Sequence, residues 1–142
     1  MTMGFATDYL AIIDAVKAKI VELKTAGALK EVHFGPRSRM GPYPVAYVVP
    51  APYDVAQEER MEHHPIRVTV VVAGRDADVE AGLRANIVLA GDCRDKLYVD
   101  RSLGGLVSDV FVASFGPLVE QDENIYLFRS ELRVTLNRLW IV

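Results

Sequence analysis

Apolar and polar residues alternate along the last long segment of the chain. Tyr126, Phe128, Leu132, Val134 and Leu136 fall on one side of an extended backbone and Arg129, Glu131, Arg133, Thr135 and Asn137 on the other, with Ser130 alone breaking the apolar set. Ile66 to Ala73 repeats the pattern, with Ile66, Val68, Val70 and Val72 opposite Arg67 and Thr69, so each segment is expected to be a strand with one wet face. Val45 to Val49, closed by Pro50 and Pro52, and Val107 to Phe115 predict further strands, and Glu31 to Phe34 a short one.

Elsewhere the period lengthens. Leu10, Ile13, Val16, Ile20 and Leu23 recur at steps of three and four, with Thr7 or Asp8 available as a cap and Gly27 as a stop, which predicts a helix over Asp8 to Thr25. Lys17, Lys19, Glu22 and Lys24 take its solvated side. Asp76 or Asp78 opens a second helix, where Val79, Leu83, Ile87, Ala90 and Leu97 make the stripe and Gly82, Ala85 and Gly91 leave room for close packing. Between the elements, GPRSRMGPYP is too rich in Gly and Pro to be regular.

The order helix, strands, helix, two strands predicts a single α+β domain over residues 1–142. Its sheet is expected to be largely antiparallel, with two main helices packed on one face. A long C-terminal β-hairpin is expected to turn through Gly116-Pro117 and the acidic Glu120 to Asn124 stretch. Ile125 to Arg138, fully extended, runs roughly 45 Å, against a breadth of roughly 35 to 40 Å for a compact domain of this size. The strand therefore bends or projects. A projecting hairpin leaves backbone donors and acceptors for a neighbouring subunit to cover, so an oligomer is expected.

The junction Asp100-Arg101-Ser102-Leu103-Gly104-Gly105 leads from the second helix toward the Val107 strand. Its paired glycines mark positions that need φ > 0 or a close approach by another chain. Asp100 is placed to cap local amides and Leu103 to enter the core, while Arg101 either belongs to that turn or reaches a neighbouring subunit.

Composition narrows the class. With 142 residues, 51% of them hydrophobic, one chain can bury a proper core. A formal charge of -3 argues against a domain that wraps nucleic acid by neutralising phosphates. The single Cys93 cannot form an internal disulfide and is expected to be a buried small hydrophobe. Asp92 and Asp95 beside it disfavour a thiolate, so no catalytic thiol is expected. No export signal is expected where Asp8 and Asp14 interrupt the N-terminal run. Val68 to Ala73 is far shorter than the ~20 residues of a spanning helix, so a soluble protein is expected.

Candidate chemistry is sparse. Glu58, Glu59, Glu62, His63 and His64 are the one cluster of metal-ligand types, but adjacent histidines on an extended segment point apart, and a solvated acidic loop is expected there, with no metal. His33 is expected on the sheet surface. Neither a G-x-S-x-G elbow nor a G-x-G-x-x-G or G-x-x-x-x-G-K phosphate loop is present, so no enzyme activity and no cofactor are expected. Arg37-Ser38-Arg39, with Tyr43 nearby, is the one concentrated basic feature, either a solvated loop or a contact for phosphates or an acidic partner.

An N-terminal helix before the sheet, a second helix before Tyr98-Val99-Asp100-Arg101-Ser102-Leu103-Gly104-Gly105-Leu106-Val107, and a hairpin ending in ELRVTLNRLW together resemble the tail-terminator (tail-completion) proteins of long-tailed phages and related tailed particles. The resemblance implies a virion protein of the tail, assembled in the host cytoplasm, that forms a ring, usually hexameric, capping the tail tube. It stops tube polymerisation and docks to the head connector. Its implied partners are further copies of itself, the tail-tube protein and the head connector protein, with DNA only as cargo through the lumen and no membrane. An acidic subunit is compatible with a lumen that repels phosphates. Arg37, Arg39, Asp100, Arg101, Gly104, Gly105, Arg129 and Arg133 are the residues expected at subunit or partner contacts. The alternative is a small α+β ligand-binding or enzymatic domain with its site in a cleft near Arg37, Tyr43, His63 and His64.

Overall fold

Alternate side chains of the long strands are buried, and they line up across the sheet. Val48, Val70 and Leu132 form one such row, and Ala46, Val72 and Ser130 the next. The computed structural model describes residues 4–36 and 41–141. In chain order the elements are α1 (Phe5–Thr25), β1 (Glu31–Phe34), β2 (Val45–Ala51), β3 (Ala56–Glu58), β4 (Met61–Asp76), α2 (Val79–Val99), β5 (Asp109–Asp122) and β6 (Ile125–Ile141). The sheet runs β1-β2-β4-β6-β5, with β3 paired to β4 as a hairpin. Only β1 and β2 are parallel. α1 packs over β1 and β2, α2 over β4, β5 and β6, and the two helices touch. This is the expected α+β fold with its C-terminal hairpin.

Both helices depart from the predicted stripes. α1 begins at Phe5 with Gly4 as its cap residue and no side-chain cap bond. Asp8 lies in the first turn instead, buried, where it accepts a hydrogen bond from Trp140 Nε1 at 3.0 Å. Leu10 is 49% exposed, and Ile12 joins Ile13, Val16, Ile20 and Leu23 in the core in its place. α2 is capped by Asp78, whose side chain accepts from Ala81 N at 3.1 Å. Its buried face is Gly82, Asn86, Leu89, Ala90, Cys93 and Leu97, whereas Val79 and Ile87 face solvent. Two contacts cause that rotation. A Cβ on Gly82 would stand 2.2 Å from Phe128 Cε2, so only glycine lets the helix settle there. Asn86 donates to Val72 O at 3.1 Å and accepts from Ser130 Oγ, so the two polar residues of the facing stripes satisfy one another.

The strands are longer than predicted. β2 continues through Pro50 to Ala51, past Phe34↔Val48, the last pair with β1, where it has a free edge that tolerates a missing N–H. The expected acidic loop at Glu58 to His64 is a β-hairpin: β3 returns onto β4 through Glu59-Arg60, with Glu59 at φ 55. β5 runs straight through Gly116-Pro117, and the true turn is Glu123-Asn124. Pro117 is tolerated because β5 is an edge strand. β6 neither bends away nor projects alone. β4, at 16 residues against 17 for β6, pairs it from Met61↔Ile141 to Asp76↔Tyr126. On this side of the sheet the free edge is β5.

Candidate assembly surface

β5 carries apolar side chains into solvent on both faces. Phe111 is 51% and Leu118 58% exposed on the face away from the helices, opposite Thr135 and Arg129 of β6. Phe115 at 43% and Val119 at 44% lie on the helix side, opposite the buried Leu132 and Phe128. Past Val112 every residue of β5 except Gly116 is exposed. A free strand edge with large apolar side chains is a template for another chain. The bulge between Val112 and Ser114 and the Gly116-Pro117 pair limit indiscriminate strand pairing.

Arg129 and Arg133 stand on the outer face of β6, as the alternation predicted, and neither makes a hydrogen bond or ion pair with another described residue. Charge on that face is mostly basic but mixed. Arg67 on β4 lies one row from Arg133, since Arg67 pairs with Thr135 and Thr69 with Arg133. Arg75 ends the series, and Glu131 is the acidic residue between Arg129 and Arg133. On the β2 side the face is closed by a small cluster of Val45, Tyr47 and Ala73, with Tyr43, Val49 and Val71 against it.

The junction after α2 is a self-contained turn. Leu103, Gly104 and Gly105 have φ of 48°, 70° and 87°, three successive residues in the left-handed region. Nothing lies within 4 Å of a Cβ added to either glycine, so it is the dihedral and not close approach that selects them. Asp100 accepts from Ser102 N at 3.0 Å, Ser102 Oγ at 2.7 Å and Gly104 N at 2.8 Å. These donors, the Ser102 hydroxyl foremost, hold its carboxyl below the usual carboxylate range. Leu103 is buried. Arg101 spans Asp109 with two bonds of 2.8 and 3.0 Å and lies over the Tyr98 ring. Its charge is thus already engaged within the chain, fastening the turn to the start of β5.

Arg37 and Arg39 lie outside the described residues. Tyr43 and His63 do not share a cleft. Tyr43 precedes the Val45↔Ala73 pair, while His63 sits ten residues before Ala73 on β4, roughly 33 Å away along the strand. Tyr43 lines a 520 Å³ hollow with Pro44, Arg75, Asp76, Val88 and Asp92. His63 lines another with Met61, Leu139 and Ile141, and its Nε2 lies 3.1 Å from Asn137 Oδ1. The adjacent His64 points the other way into the core, with Nδ1 2.8 Å from Tyr53 Oη, Nε2 3.0 Å from Glu62 Oε1, and the Trp140 ring edge-on. His33 lies 2.7 Å from Glu31 Oε2. Among the described residues no three His, Cys, Asp or Glu side chains converge as metal ligands. Cys93 is fully buried, and burial, with Asp92 adding to it, pushes its thiol up to about 12. No helix of the described residues is long and apolar enough to cross a membrane.

The sequence pattern exposed Arg129 and Arg133 but missed the β5 edge, because Gly116-Pro117 there looked like a turn. Adjacent Leu118 and Val119 cannot share one face, and the bulge between Val112 and Ser114 puts Phe111 and Phe115, four residues apart, on opposite faces, which the sequence spacing does not reveal.

No protein-family model and no curated protein matches this chain. Among solved structures, a chain described as "Virion of native gene transfer agent (GTA) particle" is similar over 88% of this chain and 93% of that one, with a TM-score of 0.55 and 15% sequence identity. The two chains share a fold.

Proposed function

We propose that this protein is a structural subunit of a phage-like tailed particle, a tail terminator that closes into a ring, caps the tail tube, stops its polymerisation and docks to the head connector. The observation that carries this reading is the bare β5 edge. Phe111, Phe115, Leu118 and Val119 are each about half exposed, and covering what remains offers roughly 3 to 6 kcal/mol across the four. That is modest for one contact, but it is repeated at every interface of a ring, and the last subunit of a ring closes two contacts at once. The fold shared with a gene transfer agent virion chain supports a place in such a particle, and the helix, junction and hairpin layout supports the terminator role within it. The partners are further copies of this chain, the tail-tube protein and the head connector protein, with DNA passing through the lumen.

Light scattering across a concentration series tests the self-association. The expected result is a particle several times the 15.7 kDa chain mass, reduced to monomer by Leu118→Asp, with a native circular dichroism spectrum showing that the variant still folds. Wild-type protein that stays monomeric at every concentration contradicts ring closure in solution.

A further inference from the structure

Arg67, Arg129 and Arg133 form a mainly basic patch on the outer face of β4 and β6, with Glu131 between Arg129 and Arg133 and without an ion pair among the described residues. Arg67 and Arg133 are diagonal neighbours on adjacent strands, roughly 7 to 8 Å apart. Phe111 and Leu118 of β5 flank them on the same face, in the rows of Thr135 and Arg129. Exposed arginine framed by aromatic and aliphatic side chains is the composition of a protein interface. The chain as a whole carries a formal charge of -3, so its acidic surplus lies elsewhere.

Part of that surplus sits at the end of the hairpin, where Glu120, Asp122 and Glu123 are all exposed. This end cannot fold back onto Arg67 and Arg133 of its own chain, because β6 is held to β4 as far as Asp76↔Tyr126. Within one molecule Arg75 shares a 330 Å³ hollow with Asp122 and Glu123, and Glu120, in the row of Leu127, is a diagonal neighbour of Arg129 on the same face. Arg67 and Arg133 therefore lie beyond the acidic end of their own chain and within reach of another molecule.

We propose that Arg67 and Arg133 receive the acidic hairpin end of the next copy of this chain. The contact rests on the ring reading above and deepens it. Donor and acceptor are different surfaces, so the arrangement is head-to-tail, the kind that closes into a ring. Phe111 and Leu118 supply apolar area beside the charges, and the charges set orientation and register.

A reciprocal charge swap tests it. One variant carries Arg67→Glu and Arg133→Glu; the other carries Glu120→Lys, Asp122→Lys and Glu123→Lys. All five positions are exposed, and circular dichroism verifies that both variants fold. Each alone juxtaposes like charges at every interface and should need more than about tenfold higher concentration to assemble. An equimolar mixture should restore assembly as alternating particles with an even number of subunits, read by native mass spectrometry. Wild-type rings together with variants that assemble unchanged overturn this contact and leave the ring reading standing. Wild-type protein that never associates, in solution or on tail tubes, overturns both. Arginine variants that keep the ring but lose binding to a DNA duplex assign the patch to phosphates and overturn the proposal.

Discussion

Adding one methyl group at Gly82 should separate packing from helix propensity. The new Cβ would stand 2.2 Å from Phe128 Cε2, 2.5 Å from Phe128 Cζ and 2.7 Å from Asp76 Cβ, where carbon atoms rest at about 3.5 to 4.0 Å. Phe128 is 1% exposed and has nowhere to go, and the Asp76 Cβ is tied to the backbone at the end of β4. The cost belongs at the upper end of the overpacking range, about 3 kcal/mol. Alanine returns about 1 kcal/mol of helix propensity, leaving a net loss of about 2 kcal/mol. Gly91 lies on the same helix with nothing within 4 Å of an added Cβ, so Gly91→Ala should gain about 1 kcal/mol. Urea denaturation at one protein concentration, followed through the single tryptophan, Trp140, reads both variants. Gly82→Ala as stable as Gly91→Ala would refute the tight seat of α2 on β6.

Two further substitutions probe the junction and the buried thiol. Gly105→Val should lose about 1 to 3 kcal/mol, because φ of 87° strains a β-branched residue although the space around it is open; an unchanged thermal midpoint would show that the turn relaxes. Native Cys93 should resist iodoacetamide at pH 8 and react in urea, since its thiol is pushed up to about 12. Because the thiol ionises more easily in the unfolded chain than in the fold, its contribution is intact below pH about 9 and is lost as pH rises toward about 12. Cys93→Ala should lack that part of the alkaline fall in stability, and rapid native labelling would contradict the burial.

The sheet was legible wherever one face is buried and the other wet, because a slip of one residue would invert every side chain. That is why Ile66 to Ala73 and Tyr126 to Leu136 appeared with their faces correctly assigned, and with them Arg129 and Arg133. α2 was harder. Its core face contains Gly82 and Asn86, which hydrophobicity counts against burial, while the exposed Val79 and Ile87 count for it. The clue was Ser130, the single polar residue in an apolar row, whose partner is Asn86 on the facing helix. Such pairing exists only in three dimensions. Turn chemistry misled at Gly116-Pro117, where Pro117 is tolerated because it sits on the β5 edge. β4 is nearly as long as β6 and pairs it along its length, so the exposed backbone edge on that side is that of β5.

The claim that matters most is that copies of this chain close around the end of a tail tube. Tail-tube protein polymerised with and without this protein, and imaged by electron microscopy, tests it directly. The account predicts shorter tubes, each bearing at one end a closed ring whose neighbouring subunits meet through the β5–β6 hairpin, whether or not rings form beforehand in solution. Tubes of unchanged length with bare ends would contradict it.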